Sequence, residues 1–158
     1  MANIRNQCTW VHSENKDLAT AKAKDLVKMG VARARQLESI EPISVDVIDS
    51  ALVIGGGVAG MTAALGLADQ GFQTTLVEKT GELGGRARDV HRTHDGRDVA
   101  PFVEALVERA RKHDKLTLMT DSEVVGATGY VGNFESEVRN GKGSQTIRHG
   151  AVIVATGG

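Results

Sequence analysis

The stretch Gly55-Gly56-Gly57-Val58-Ala59-Gly60 constrains this chain more than any other, because it fits the pattern G-x-G-x-x-G. Alone, that pattern is weak evidence. Its surroundings strengthen it. The apolar run Ala51-Leu52-Val53-Ile54 before it reads as a buried parallel strand. A helix is expected over residues 61–70, with Gly71 as its C-terminal glycine stop, and a second strand over 74–77. Each glycine then has a physical task. Gly55 permits the tight turn out of the strand, Gly57 lets backbone approach a pyrophosphate, and Gly60 lets the helix lie close to the strands. Gly56, Val58 and Ala59 complete the turn and the helix N-terminus, whose free N–H groups and partial positive charge suit phosphate. Glu78 closes the second strand about 20 residues on, where an acid accepts hydrogen bonds from a ribose diol.

The segment Lys79-Thr80-Gly81-Glu82-Leu83-Gly84-Gly85-Arg86 follows. Its Gly84-Gly85 pair brings a second loop against the same pyrophosphate, with Arg86 near the anionic oxygens. Residues 89–100 are polar and irregular. A helix is expected over 102–113, with Val103, Leu106, Val107 and Ala110 on one side, and a third strand over 116–119. Residues 123–149 read as three short strands divided by glycine turns, an antiparallel meander. A last buried strand, Ala151-Val152-Ile153-Val154, runs into Ala155-Thr156-Gly157-Gly158. A strand ending in a glycine turn should meet a ligand or feed another element, so the chain is expected to be cut from something longer.

Upstream, residues 15–38 read as one long helix, with Ala19, Ala23, Leu26, Val27, Gly30, Ala34 and Leu37 forming a stripe. Ser13 or Asn15 caps its start, and Glu41-Pro42 ends it. The expected division is an N-terminal segment over 1–49 and a nucleotide-binding α/β domain over 50–158, built from a Rossmann-like βαβ sheet and the meander. The formal net charge of −1 removes the electrostatic case for nucleic-acid binding. No apolar run approaches the roughly 20 residues that cross a bilayer. The first ten residues lack the basic-then-apolar order of a signal peptide, so a cytoplasmic location is expected.

Two features favour FAD over NAD: the Gly84-Gly85 pair, and the meander followed by the strand Ala151–Val154 and its glycine turn. Flavin domains of the two-dinucleotide-binding type resemble the order found here: G-x-G-x-x-G, Glu, Gly-Gly, helix, strand, meander, strand, Ala-Thr-Gly. A narrower set of segments comprises Cys8-Thr9-Trp10-Val11-His12, Val53 through Met61, Glu82-Leu83-Gly84-Gly85, Gly129-Tyr130-Val131-Gly132-Asn133-Phe134, and His149 through Gly158. Together they resemble the A subunit of heterodisulfide reductase, an iron–sulfur flavoprotein. That resemblance implies an FAD domain that takes electrons from a donor such as a hydrogenase or formate dehydrogenase. They would pass through flavin and iron–sulfur clusters to B and C subunits, and in the methanogen complexes the flavin splits electron pairs between ferredoxin and a coenzyme M–coenzyme B disulfide. The implied FAD contacts are Gly55, Gly56, Gly57, Val58, Ala59, Gly60, Glu78, Lys79, Gly84, Gly85, Arg86, Val124, Thr156 and Gly157.

There are departures. The chain has one cysteine, so neither a C-x-x-C-x-x-C cluster run nor a C-x-x-C redox pair is present. Arg86 stands where many relatives are expected to carry asparagine. Cys8 and His12 are too few for a metal or cluster site, and a buried structural thiol is the commoner role. His91, His94, Asp95 and Asp98 read as a solvated loop, His113 and His149 as surface positions, and Trp10 as an anchor on the core. Lys22, Lys24, Lys28, Arg33 and Arg35 form a basic helix face for solvent or a subunit contact. No nucleophile–base pair and no metal-ligand set emerges, which fits a flavoprotein whose cofactor carries the chemistry. An NAD-binding dehydrogenase module and a non-catalytic fragment are the competing readings.

Overall fold

The structure, a computed structural model, describes residues 2–157. Gly158, the last residue of the terminal glycine turn, lies outside the described residues. The chain divides into two compact units, Met1–Ile43 and Ser44–Gly158.

In the first unit a π-helical turn, Arg5–Thr9, precedes α1, Lys16–Ala34. Asn15 caps α1: its side-chain oxygen accepts from the Leu18 N–H at 3.0 Å, satisfying one of the four orphan amides of a helix start. The helix stops at Ala34 rather than near residue 38. Its expected apolar stripe is only half-realised. Ala19, Ala23, Leu26 and Gly30 are half-buried, while Val27, Ala34 and Leu37 are exposed. Cys8 is buried, and its Sγ donates to the Ala19 carbonyl, which is the structural-thiol role. Trp10 is not an anchor: it is 62% exposed, with the Arg5 guanidinium 5.0 Å from its ring centre. Of the five basic residues singled out, four lie on α1 and Arg35 caps its end, and all five are exposed.

The second unit is a three-layer α/β fold. Its elements are β1 (Ser50–Ile54), α2 (Val58–Asp69), β2 (Gln73–Val77), α3 (Ala100–Lys112), β3 (Leu116–Met119), β4 (Ser122–Tyr130), β5 (Asn133–Asn140), β6 (Gly143–His149) and β7 (Ala151–Val154). The parallel sheet has the order β3-β2-β1-β7. Helices α2 and α3 are the crossovers that parallel neighbours require. The antiparallel sheet β4-β5-β6 is the expected meander.

One core lies between sheet and helices, with Val53, Met61, Leu65, Leu76 and Leu116 at its centre. A second, between sheet and meander, holds Leu52, Val77 and Val138. Adjacent β1 residues point to opposite faces, so a strand covered on both sides reads as a continuous apolar run. β7 departs from its expected burial: Val152 is 39% and Val154 68% exposed. It is an edge strand, paired to β1 alone among the described residues. His149 departs in the other direction. It is 1% exposed, its ring is stacked on Phe134, and its ring nitrogens meet Ser136 Oγ and the Ala151 carbonyl, each at 2.9 Å. Burial pulls its pKa below the ordinary 6.5, although the Ala151 hydrogen bond opposes this.

Residues 44–49 join this unit through backbone bonds. Ile48 N donates to Gly132 O, and Gly132 N to Gly150 O. A Cβ on Gly150 would stand 2.2 Å from the Ile48 carbonyl oxygen.

Candidate functional site

Parallel strands end in carbonyls and turns at one edge of the sheet, and ligands of open α/β sheets bind beyond that edge. Here the ladder runs on past the strands: Gly55 N donates to Val77 O, Ala155 N to Ile54 O, and Glu78 N to Met119 O. Gly55, Glu78 and Ala155 thereby come together at the carboxyl ends of β1, β2 and β7.

The glycine turn is dictated mostly by its protein neighbours. Gly55 has φ +110°, and a Cβ there would stand 2.3 Å from the Ala155 carbonyl oxygen. A Cβ on Gly60 would fall 1.9 Å from the Gly55 carbonyl oxygen, so only glycine lets α2 start this close to β1. On Gly56 it would strike the Leu83 and Glu78 side chains. Gly57 is the exception. Its φ of −72° suits any residue, and a Cβ would meet no atom within 4 Å. Nothing among the described residues requires glycine there, whereas a diphosphate lying against the turn would.

Gly57 also caps α2, with no side chain to satisfy the first amides and no acid in the first turn. The helix therefore presents free N–H groups and the positive end of its dipole. The second glycine loop packs on this turn: Gly84 N donates to Gly56 O at 2.8 Å, and a Cβ on Gly85 would approach Gly57 Cα to 3.2 Å. Both glycines have positive φ.

Glu78 ties the two loops together. Its Oε2 accepts from Gly56 N at 2.6 Å, and its Oε1 accepts from Thr80 N at 2.8 Å and Thr80 Oγ1 at 2.9 Å. Burial raises its pKa, but the bonds from Thr80 and Gly56, with the Lys79 charge, outweigh that and hold the carboxyl below its ordinary 4.5.

Beyond these residues lies a cleft of about 610 Å³. Of the expected residues, Gly55, Gly57, Glu78, Lys79, Gly85, Arg86, Thr156 and Gly157 line it. A smaller cavity of about 250 Å³ shares Gly55, Glu78, Lys79 and Thr156 with it and adds Val124. Gly56, Val58, Ala59, Gly60 and Gly84 shape the turn and the helix start but do not line either cavity. Sequence reasoning missed Thr80 and Arg88 in the cleft wall, and the β-bulge between Val124 and Gly126 that turns β4 beside the smaller cavity. The signal for Thr80 was a hydroxyl two residues after the acid. Arg88 pairs with Glu82 at 2.8 Å and donates to the Leu83 carbonyl, which stiffens the glycine-pair loop.

The remaining candidates stand apart. His91, His94, Asp95 and Asp98 are exposed on a loop braced by Arg92–Asp98 and Arg97–Asp95 ion pairs. His113 is half-buried against Asp69, which also pairs with Arg109 across α2 and α3.

Comparisons agree with this geometry. Residues 53–108 match the model of an NAD(P)-binding Rossmann-like domain. L-proline dehydrogenase from P. horikoshii superposes with a TM-score of 0.61 at 26% identity, over 75% of this chain and 25% of that one. Thioredoxin reductase from T. acidophilum shares the fold, with a TM-score of 0.58 at 21% identity over 70% of this chain and 35% of that one. In sequence, the chain is 51% identical over 140 residues to an iron-sulfur A subunit of CoB–CoM heterodisulfide reductase from Methanopyrus kandleri, the second of its kind in that organism. It is 48% identical over 139 residues to the A subunit of the H2:CoB-CoM heterodisulfide,ferredoxin reductase from Methanothermobacter marburgensis. Each alignment takes in 87% of this chain and 21% of the relative, so the chain spans about a fifth of the length of the curated relatives it matches. Along the segment it shares with them, this chain is homologous to the A subunits of heterodisulfide reductase.

Proposed function

We propose that the chain binds the ADP half of FAD in this crevice and forms the flavin-binding part of an oxidoreductase subunit of the heterodisulfide reductase A kind. The observation that carries the reading is the Glu78 carboxylate bonded to the Gly56 amide, beside a Gly57 that no neighbour among the described residues requires. In this reading the diphosphate rests on Gly55, Gly57 and the first amides of α2. Gly85, Arg86, Thr156 and Gly157 face it from the other walls of the cleft. Glu78 takes the ribose, while Lys79 and Val124 border the smaller cavity. Gly56, Val58, Ala59, Gly60 and Gly84 hold the cradle in shape from behind.

When bound, the isoalloxazine supplies the electron-transfer chemistry. The chain's own residues bind and orient the cofactor, and none of them acts as a nucleophile or general base. The nucleotide-binding domain takes in the expected residues 50–158 together with 44–49, which are bonded to it, and residues 1–43 form a compact unit of their own. In the same reading electrons pass on to iron–sulfur partners, and the single Cys8 of this chain does not by itself supply the ligands of a four-cysteine cluster. A cytoplasmic setting belongs to the same reading. No helix among the described residues is long and apolar enough to cross a membrane.

A second reading, an NAD-binding module, draws on the description of the matching domain model. Mixing purified chain with FAD, desalting it and recording the visible spectrum separates the two. A yellow protein whose flavin is not displaced by NADH is expected. Tight NADH binding without flavin uptake would favour the dehydrogenase module, and folded protein that takes up neither would favour a non-catalytic fragment.

A further inference from the structure

We infer that Thr80 is the positioning residue that sets how strongly this crevice recognises ribose hydroxyls, acting through Glu78. The inference rests on the nucleotide reading above and deepens it.

A carboxylate offers about four lone-pair sites. Here the chain fills three: Oε1 accepts from both the amide and the hydroxyl of Thr80, and Oε2 accepts from the Gly56 amide. One site remains, on Oε2, and its direction is set by the two bonds that saturate Oε1. The residue that meets the ribose is therefore aimed by the one two positions further on.

Thr80 itself stands in a choice. Its Oγ1 lies 2.9 Å from Glu78 Oε1 and 3.0 Å from the Glu82 carbonyl oxygen, and a hydroxyl has one proton for these two acceptors. The charged acceptor makes the stronger bond, so the proton belongs with Glu78. The Glu82 carbonyl is the competing acceptor for that proton. Valine at this position would put a methyl where Oγ1 now sits, nearer to Oε1 than a carbon–oxygen contact allows. The carboxylate would have to swing, and its open lone pair would turn away from the crevice. Serine keeps the hydroxyl and the geometry.

The test uses the whole chain with ADP and with 2′,3′-dideoxy-ADP, which lacks both ribose hydroxyls, by isothermal titration. Wild type is expected to prefer ADP. Thr80→Val should reduce that preference about tenfold, the scale of a lost hydrogen bond to a charged group, while Thr80→Ser retains it. A ratio of two affinities on one protein is insensitive to a general loss of stability. If the valine variant does not fold, Thr80→Ala against Thr80→Ser gives the same contrast, since these differ only in the hydroxyl. A hydroxyl-free variant with the wild-type preference overturns the role of Thr80 and leaves the nucleotide reading standing. Wild type that binds neither ligand overturns both.

Discussion

Helices α2 and α1 carry similar signals in the sequence, yet they meet opposite surroundings. α2, 12 residues long, buries Gly60, Met61, Ala64, Leu65 and Ala68. α1, at 19 residues, buries none. Apolar spacing makes a helix possible in both. What differs is the connection to the sheet. α2 is held by the tight turn 55–57 at β1 and the short loop 70–72 to β2, so its apolar face has nowhere to go but onto the strands. A linker of residues 35–49 separates α1 from β1, and it places no such demand. Periodicity marks a helix, while chain connectivity decides whether its stripe becomes a core.

That contrast can be broken most forcefully at the core itself. Leu65→Ala should cost about 2–5 kcal/mol of unfolding free energy, whereas Val27→Ala on α1 should stay within about 0.5 kcal/mol. Denaturant titration of both variants checks this, and similar losses would erase the distinction. Glycines sharpen it next. Gly60→Ala, with its Cβ driven into the Gly55 carbonyl, should cost about 1–3 kcal/mol or more. Gly66→Ala, on the same helix with no atom within 4 Å, should gain about 0.5–1 kcal/mol. Gly57→Ala should leave the unfolding midpoint almost unmoved and weaken FAD uptake, which would separate the glycine kept for a ligand from those kept for packing.

In α1, where capping matters more than burial, Asn15→Ala should cost about 1 kcal/mol of local helix stability. Amide exchange of the first turn reads this directly, and the exchange of α2 should not follow. The smallest expected effect is one of pH in the second unit. The buried His149 has its pKa held below 6.5, so the unfolded chain binds more protons as the pH drops through 6.5. Stability is full above that value and falls on acidification until the folded-state pKa is passed. Glu78, held below 4.5, adds a loss only at lower pH. Urea midpoints measured from about pH 7.5 to about 5.5 should decline, and His149→Asn should flatten the decline.

The parts of the fold that were legible in the sequence are those with local causes. β3 and β7 occupy the expected residues, the meander has its expected three strands, and the glycine turn lies between strand and helix as its spacing demanded. Helix ends shifted by a few residues, because α2 begins directly after Gly57 and α1 lost its last turn. The candidate site was less evenly readable. Gly55, Gly57, Glu78 and Gly85 converge, but the ties between Glu78, Thr80 and Gly56 join separate segments, and no local pattern encodes them.

Sequence alone determined the βαβ unit, since left-handed φ, helix starts and strand burial are properties of a few adjacent residues. Tertiary structure decided which polar groups went inside and which apolar ones stayed out. His149 is buried because β5 lays Phe134 directly opposite it, where two hydrogen bonds satisfy its ring. Val154 on the edge strand β7 is exposed although Leu116 on the other edge strand, β3, is buried. Burial is a relation between distant segments, and neither residue's own neighbours in the chain carry it.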